Sequence, residues 1–456
     1  MGQQDIRREP LAPETVLPEP PPPGPLRSIL RPTRVRYHVL GAACAVAVIA
    51  YIHRVGFASA LPAVAEDLHL GQHHSGWLMA AFLLAYGGME MPWGRAGDRA
   101  GVRGLLPALV LGWSLLTGCV GLVLALRDHP ALAFAALLAL RFLFGAFQAG
   151  GFPLLSRMMT DWMPTTERGS AQGAIWMSTR FGAVVVPLLL ARLTDAFGNW
   201  QTPLWLLASL GAVWCAVFWP WFRNRPEEMP AVNDAERALI VAGRAAWPAG
   251  HAGAPWGRML RSRSVWALCL TYGFGGFAAN FYVTLLPTYL EKGRGLAAAD
   301  RAWLTSAPFA CGAVACVLGG RVSDVIIRRT GNRKWGRRIN GTIGMALAAL
   351  AWPLLPSVPA PWGLAAVLCL IFFCNDLGMG PAWASCADIG ERHAGTLGGA
   401  MNMIGSVFGA AGTLLAGELF ERGHAGWVFG LYAGSFGLAS LCWLNVDATK
   451  SIAEKG

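Results

Sequence analysis

Three arginines, Arg54, Arg141 and Arg180, lie inside long apolar stretches of this 456-residue chain. A charged side chain at the centre of a bilayer costs about 3 kcal/mol or more unless it faces a cavity or a partner, so these arginines are not expected to face lipid. A guanidinium matches a carboxylate through a bidentate fork of N–H donors. We therefore expect an anionic ligand, with Arg54 as its first contact. Tyr51, three residues earlier, shares the same helix face.

The other two arginines each leave two interpretations open. Arg141 and Gln148 are two helical turns apart and share one face, and Arg141 either organises the site or grips the ligand. Arg180 either binds a second anionic group or neutralises Asp376, an aspartate in the middle of a later apolar stretch. A purely structural role is the alternative for Arg54.

The composition places these residues in a helical membrane protein. Hydrophobic residues make up 54% of the chain and charged residues 14%, whereas soluble proteins carry about 25% charged residues. Soluble globular, disordered and disulfide-scaffold classes are therefore excluded. The ten cysteines have no metal-ligand spacing and are expected to pack as small apolar residues. We predict no metal and no cofactor.

Apolar segments of about 20 residues, each able to cross a hydrocarbon core of roughly 30 Å, recur along the chain. The predicted spans are 38–63, 76–96, 104–126, 131–159, 170–197, 202–222, 264–290, 302–326, 339–357, 362–386, 395–420 and 426–446. The predicted fold is an all-α membrane protein with twelve transmembrane helices in two pseudo-symmetric six-helix bundles. The predicted domains are a disordered Pro-rich cytoplasmic tail, an N-terminal bundle, a cytoplasmic linker, a C-terminal bundle and a cytoplasmic C-terminal tail, at 1–36, 37–222, 223–263, 264–446 and 447–456.

The basic residues predict the orientation. Of 37 Lys and Arg, 28 fall in cytoplasmic segments if both termini are inside, six fall outside, and three are the intramembrane arginines. This bias predicts a multi-pass inner-membrane protein with both termini in the cytoplasm. Most of the formal net charge of +11 is thereby explained by topology, so no nucleic-acid partner is expected.

Two patterns recur in the two halves. Asp98 and Asp324, 226 residues apart, each lie four residues after a glycine at a predicted cytoplasmic helix end, followed by basic residues. Glycine-rich turns before Pro153 and Pro381 correspond at an offset of 228. A duplicated six-helix unit accounts for both patterns.

The first of these patterns resembles the signature between helices 2 and 3 of the major facilitator superfamily. The matching residues are Gly94, Asp98, Arg99, Gly101 and Arg103, while Val102 replaces one basic residue. The resemblance implies that these residues gate the cytoplasmic side through helix caps and ion pairs. Asp324 is the gating counterpart in the second half.

Further stretches resemble the anion:cation symporter family within that superfamily. They are Tyr51-Ile52-His53-Arg54, Arg141 to Gln148, Phe152-Pro153, Trp162-Met163-Pro164, Glu167-Arg168-Gly169, Leu286 to Leu290, Gly380 to Trp383 and Gly395 to Asn402. The resemblance covers residues 37–446 and implies transport of organic anions, usually sugar acids or other carboxylates, generally with protons. It also places Tyr86 on the family's tyrosine in the second segment.

Two departures from the family concern proton coupling. The family's usual carboxylates in segments 1 and 4 are replaced by His53 and Gln148. Because the repeat places Gln148 opposite Asp376, we hypothesise that the titrating group has moved to Asp376. His53 is the second candidate, since the reference pKa of histidine is about 6.5. A structural ion pair between Asp376 and an intramembrane arginine is the alternative.

Other polar residues inside the spans have weaker assignments. Glu90 replaces the family's usual glutamine, and gating or ion pairing is expected of it rather than proton coupling. Six residues of the second half could bind ligand hydroxyl groups, or serve equally well as interhelical hydrogen bonds or packing. They are Asn280, Tyr282, Trp383, Ser385, Asn402 and Ser406.

Together these patterns predict a secondary transporter that moves a small organic anion by alternating access, with the proton as the expected coupling ion. The expected partners are the anionic solute and the lipid bilayer, and the expected state is a monomer. No nucleotide loop or nucleophile–base constellation indicates an enzyme. The alternatives are an organophosphate or anion exchanger, a uniporter, and a non-transporting membrane sensor.

Overall fold

The computed structural model describes residues 31–242 and 254–452, and within these ranges every regular element is helical. Seven helices form the first half of the chain. They are α1 (Val35–Asp67), α2 (Gln72–Ala100), α3 (Val102–Leu122), α4 (Pro130–Gln148), α5 (Gly151–Trp162), α6 (Arg168–Phe197) and α7 (Gln201–Trp221).

Two short helices precede the second half, which repeats the plan of the first. The linker helices are α8 (Asp234–Val241) and α9 (Trp256–Arg261). The helices that follow are α10 (Arg263–Ala279), α11 (Phe281–Thr284), α12 (Leu286–Thr288), α13 (Ala298–Thr330), α14 (Arg333–Ala351), α15 (Pro361–Leu377), α16 (Met379–Gly390), α17 (Ala394–Glu421) and α18 (Ala425–Trp443). A π-helical turn spans Tyr289–Gly293, and 3₁₀ turns span Val123–Leu126, Pro226–Glu228, Trp352–Ser357 and Glu391–His393.

All twelve spans predicted from the sequence are helical in the structure. Nine helical stretches among the described residues are long and apolar enough to cross a membrane, and one of them, 361–421, contains three helices. The count of twelve crossings and the domain boundaries stay predictions. Most of the predicted Pro-rich tail, part of the linker and the end of the C-terminal tail fall on 1–30, 243–253 and 453–456, outside the described residues.

The repeat is visible as two interrupted helix pairs. α4 gives way to α5 next to Gly150, and α15 gives way to α16 at Gly378. A Cβ on Gly150 would lie 2.3 Å from the Leu109 Cδ1 atom and 2.9 Å from the Trp93 Cβ atom, so a larger residue would require these side chains to shift. Pro153 and Pro381 each occupy the third position of the helix that follows, where the missing N–H leaves no hydrogen bond unmade.

The two halves meet most extensively along two helix pairs, α2 against α17 and α6 against α13. Glycines allow backbone contact in both. A Cβ on Gly94 would lie 2.0 Å from the Gly395 carbonyl oxygen, and one on Gly320 would lie 2.2 Å from the Gly169 carbonyl oxygen. Small residues let helices approach closely, which is how helices associate where lipid removes the hydrophobic driving force. The candidate site lies between these two seams.

Candidate functional site

Arg54 is held on one side by a hydrogen bond to Gln148 and is surrounded by aromatic rings. The Arg54 Nε–H donates to the Gln148 Oε1 atom at 2.8 Å, and the Gln148 amide nitrogen donates to the Ala50 carbonyl at 2.9 Å. The guanidinium carbon lies 4.4 Å from the ring centre of Tyr86 and 5.2 Å from that of Tyr51. Arg54 is partly exposed, and its Nη2 atom has no hydrogen-bond partner. The structure therefore brings together four residues that the sequence singled out, around a guanidinium with a free donor.

Arg141 is buried among phenylalanines inside the first half. Its guanidinium carbon lies 4.0 Å from the ring centre of Phe57 and 4.9 Å from those of Phe82 and Phe144. The Nε and Nη2 atoms make no hydrogen bond. Phe82 also lies under Arg54, with its ring centre 5.0 Å from the guanidinium carbon. The sequence left two roles open for Arg141, and this placement favours organising the site over binding the ligand directly.

Arg180 and Asp376 form a bidentate ion pair across the two halves. The Arg180 Nε–H donates to Asp376 Oδ2 at 2.8 Å, and Nη2 donates to Oδ1 at 3.0 Å. The Asn375 amide adds a third hydrogen bond to the same carboxylate at 2.9 Å. Both charged groups are buried. Of the alternatives stated for Asp376, the structural ion pair is the arrangement that the structure contains, and Arg180 neutralises this aspartate.

His53 is fully buried and faces its own half. Its Nε2 atom lies 2.8 Å from the Leu207 carbonyl oxygen on α7, and its Nδ1 atom has no partner. The residue next to it, Arg54, is in the site. The structure therefore does not bring the two proton-coupling candidates, His53 and Asp376, together.

Five aromatic residues from both halves form a continuous cluster that begins at Tyr51 and that we call the aromatic cluster. Its members are Tyr51, Phe152, Trp176, Tyr272 and Trp383. Phe152 stacks on Trp176 with ring centres 4.7 Å apart, and Trp176 lies 5.6 Å from Trp383. Aromatic faces pack well against the carbon skeleton of a ligand. Trp383 is a predicted site residue, whereas Trp176 and Tyr272 were missed because no local spacing distinguishes them from packing residues.

Asn402 and Tyr282, both predicted to bind ligand, lie in different places. Asn402 donates from its amide nitrogen to Glu90 Oε1 and lies 3.4 Å from the Tyr86 hydroxyl, so it belongs to the same site as Arg54. Tyr282 donates to the Leu368 carbonyl at 2.9 Å and packs edge-on against Phe372 inside the second half. The structure does not bring Tyr282 to Arg54.

The two predicted gating aspartates cap helices of the opposite half. Asp98 accepts hydrogen bonds from the backbone N–H groups of Gly395 and Thr396 at the start of α17, at 2.9 and 2.7 Å. Asp324 accepts from the N–H groups of Gly169 and Ser170 at the start of α6, at 3.1 and 2.6 Å. A carboxylate at a helix N-terminus satisfies unpaired N–H groups and interacts favourably with the helix dipole. These contacts hold the two halves together at one end.

The remaining residues of the gating signature have more local roles. Gly101 has a positive φ of 77°, and the Asn224 side chain next to it accepts from the N–H groups of Val102 and Arg103. Arg99 is exposed. The Arg103 Nε atom is buried without a hydrogen bond. Asn224 caps α3 and was missed by the sequence because it lies more than a hundred residues away.

A buried charge network at the same end was also missed. Asp388 accepts from Arg168 at 2.7 Å and from Arg337 at 2.9 Å, and Arg337 also donates to Asp324 at 2.8 Å. The network therefore connects Asp324 to both halves. The internal repeat carries the signal that could have found it, because Asp161 and Asp388 are separated by nearly the same offset as the two gating aspartates.

Comparisons with known proteins concern the family and the fold. The model of the Major Facilitator Superfamily matches residues 43–413. A probable sulfoacetate transporter of Cupriavidus necator is 30% identical over 85% of this chain and 88% of its own. A probable galactarate/D-glucarate transporter of Escherichia coli is 28% identical over 86% and 88%, and a hexuronate transporter of Bacillus subtilis is 25% identical over 86% and 88%.

Solved structures show the same fold at low sequence identity. The proton:xylose symporter XylE has a TM-score of 0.70 at 13% identity and covers 89% of this chain and 94% of its own. The human organic anion transporter MFSD10 has a TM-score of 0.67 at 15% identity, over 90% and 99%. These similarities concern the fold alone.

Proposed function

Because the chain belongs to the major facilitator superfamily, we propose that it carries a small organic anion across the membrane, with the anionic group bound by Arg54. The chain is a multi-pass membrane protein and not an enzyme. Sulfoacetate, galactarate, glucarate and hexuronates, the solutes in the names of its relatives, are all organic anions. That shared chemistry supports the proposal.

The observation that carries the proposal is the state of Arg54. The residue is partly exposed, its buried Nη2 atom has no hydrogen-bond partner, and it makes no salt bridge within the described part of the chain. A planar guanidinium binds a carboxylate or a sulfonate with two parallel hydrogen bonds. Arg180, by contrast, is already paired with Asp376. We therefore propose a ligand with one strongly bound anionic group, whose remaining part packs against the aromatic cluster.

Transport by alternating access requires the closed end of the molecule to open. The caps made by Asp98 and Asp324 consist of hydrogen bonds between the two halves, so a rocking motion would break them without unfolding either half. Monomeric state, cytoplasmic termini and the proton as coupling ion remain part of the proposal.

The test is uptake into proteoliposomes of purified wild-type protein. The radiolabelled panel contains sulfoacetate, galactarate, D-glucarate, D-glucuronate, an organophosphate, and the neutral sugar xylose. Arg54→Ala is expected to lower uptake of the preferred anion by at least tenfold, and Arg54→Lys by less, because lysine keeps the charge but loses the bidentate fork. Arg192→Ala, which changes an exposed arginine on α6, is the matched control and is expected to retain uptake.

Three results would contradict the proposal: preference for xylose over the anions, no anion uptake, or full anion uptake by Arg54→Ala. Selective uptake of the organophosphate in exchange for phosphate would favour the exchanger.

A further inference from the structure

Glu90 lies in the middle of α2 and is fully buried at the seam between the two halves. One oxygen of its carboxylate accepts a hydrogen bond from Asn402, and the other accepts from the Ser406 hydroxyl at 3.4 Å. Both donors belong to α17 of the opposite half. The backbone is tightly packed here as well, because a Cβ on Gly399 would lie 2.5 Å from the Glu90 carbonyl oxygen. Glu90 therefore connects the two halves through its side chain.

Glu90 differs from the other buried carboxylates of the described residues in having no salt bridge. The others are Asp161, Glu236, Asp324, Asp376, Asp388 and Asp447, and each pairs with Arg or Lys. A buried carboxylate without a close cation is costly when ionised, and protonation removes that cost. The hydrogen-bond partners of Glu90 allow this change. The Ser406 hydroxyl can accept as well as donate, and an asparagine amide offers both functions.

Glu90 and the proposed anion site share the same cation. Arg54 is the charged group that acts on Glu90, and Tyr86, whose ring lies 4.4 Å from the Arg54 guanidinium carbon, is the other titratable neighbour. From α17 the neighbours are Asn402 and Ser406, which do not titrate. On α4, Gln148 is neutral and Arg141 packs on Phe82. On α5, the charge of Arg157 interacts electrostatically with Asp98. An anion on Arg54 would thus place a second negative charge near an ionised Glu90.

The two candidates that the sequence offered are differently placed. Asp376 accepts three hydrogen bonds from Arg180 and Asn375, and its charge is compensated. His53 contacts α7 of its own half. Glu90, by contrast, lies at the seam, and its hydrogen-bond partner Asn402 also lies 3.4 Å from the hydroxyl of Tyr86, the residue whose ring packs on Arg54.

We propose that Glu90 takes up the proton that accompanies the anion. The positive charge of Arg54 offsets part of the cost of burying an ionised Glu90 in the empty protein, and the incoming carboxylate or sulfonate cancels that offset. A proton from water then binds one Glu90 oxygen, which becomes an O–H donor to Ser406 or to the Asn402 amide oxygen. Release of the anion restores the ionised carboxylate and returns the proton to water. This inference rests on the proposed function, and it gives Glu90 a role other than the gating or ion pairing that the sequence leads us to expect.

The test is proton uptake on binding, measured with a pH electrode in weakly buffered detergent solution while sulfoacetate, galactarate or D-glucarate is added. Wild-type protein is expected to take up about one proton per bound anion. The apparent Kd is therefore expected to rise by about tenfold per pH unit over the pH range in which Glu90 is ionised before the anion binds. Glu90→Gln is expected to bind the anion with no proton uptake and with a Kd that does not change between pH 5 and 9. Glu66→Gln, an exposed glutamate on α1, is the matched control and is expected to behave as wild type.

The outcomes separate this inference from the proposed function. If no probe binds to wild-type protein and none is transported, the proposed function fails and this inference fails with it. If the wild type binds an anion without taking up a proton, or Glu90→Gln takes up as many protons as wild type, only the role of Glu90 is overturned. Glu90→Asp, which keeps a titrating group, is expected to restore proton uptake. Melting curves of each variant identify loss of folding, and failure of Glu90→Asp to restore proton uptake in a folded protein would also overturn the role.

Discussion

The Arg180 guanidinium makes two parallel hydrogen bonds with the Asp376 carboxylate, at 2.8 and 3.0 Å, and so joins α6 of one half to α15 of the other. The two residues are 196 positions apart in the chain. Both are buried, and the carboxylate is fully inaccessible to solvent. This pairing decides what both residues are available for. Arg180 uses its Nε and Nη2 donors for Asp376, and the charge of Asp376 is compensated by Arg180.

Removing either partner of this ion pair is expected to destabilise the protein. Asp376→Asn leaves the Arg180 charge buried and uncompensated, which costs about 3–5 kcal/mol. The double variant Arg180→Met with Asp376→Leu removes both charges and is expected to regain most of that loss. Melting curves in detergent, followed by intrinsic fluorescence, measure the effect. A folded Asp376→Asn protein of wild-type stability that loses only proton uptake would instead support Asp376 as the coupling group.

The contact at Gly94 is expected to control closure of the two halves. In Gly94→Ala the new Cβ would lie 2.0 Å from the Gly395 carbonyl oxygen, so α2 and α17 must separate at this point. Overpacking of this kind costs about 1–3 kcal/mol, and a cost near 1.4 kcal/mol shifts the population of open molecules about tenfold. Hydrogen exchange of the Gly395 and Thr396 amides, which donate to Asp98 in the closed arrangement, measures the shift.

Gly104→Ala is the matched control for that substitution. Nothing lies within 4 Å of a Cβ at Gly104 on α3, and its backbone is helical. We expect unchanged exchange at Gly395 and Thr396. Equal protection of these amides in both variants would show that the Gly94 contact does not limit closure.

Gln148→Glu is expected to weaken anion binding at neutral pH. The new carboxylate would form an ion pair with Arg54 through the Nε–H that now donates to Gln148. The Ala50 carbonyl would lose the hydrogen bond that it accepts from the Gln148 amide. An ion pair at Arg54 competes with the ligand for the same guanidinium. We expect the KM for the preferred anion to rise by at least tenfold at pH 7.5, and by less at pH 5.5, where protonation weakens the pair.

Gln148→Met separates charge from the loss of the hydrogen bond. It removes both contacts of Gln148 without adding a carboxylate, so its KM is expected to change by a factor that does not depend on pH. A KM that rises equally in the two variants at both pH values would contradict competition for Arg54.

The linker helix α8 is expected to contribute stability that is lost in acid. Glu236 accepts hydrogen bonds from the N–H groups of Val35 and Arg36 and pairs with the Arg36 guanidinium at 3.1 Å. Burial alone would raise the pKa of Glu236, but these hydrogen bonds and one from Thr33 outweigh it and lower the pKa below its ordinary value of 4.5. The ionised form is therefore favoured by folding. Its contribution is fully present above pH 4.5 and falls as the pH drops toward the lowered pKa.

Glu236→Gln tests this linkage. At pH 7 the variant is expected to melt at a lower temperature than wild type, and the difference is expected to shrink as the pH falls below 4.5. Glu228→Gln, which changes an exposed glutamate of the same linker, is expected to melt as wild type at every pH. A constant difference between Glu236→Gln and wild type down to pH 3 would exclude the ionised form as the source of stability.

The positions of the helices could be predicted from the amino-acid sequence. Helical span length and apolar composition depend on neighbours along the chain, so the twelve predicted spans are all helical, and the internal repeat placed Asp98 and Asp324 at equivalent positions. The cost of a charge in lipid singled out Arg54, Arg141 and Arg180 as side chains that need a cavity or a partner. Family resemblance indicated the superfamily.

The partners of those charges could not be predicted in this way, because they are set by tertiary packing. Periodicity fixes the face of a helix on which a residue lies, but the neighbour that meets that face comes from a distant part of the chain, as with Glu90 and Asn402, 312 positions apart. The pairing of Asp376 with Arg180 and the contact of His53 with Leu207 followed from that packing. So did the absence of a salt bridge at Arg54 and Glu90 among the described residues. Whether a charged residue is paired depends on its distance to the nearest opposite charge, and spacing along the sequence does not determine that distance.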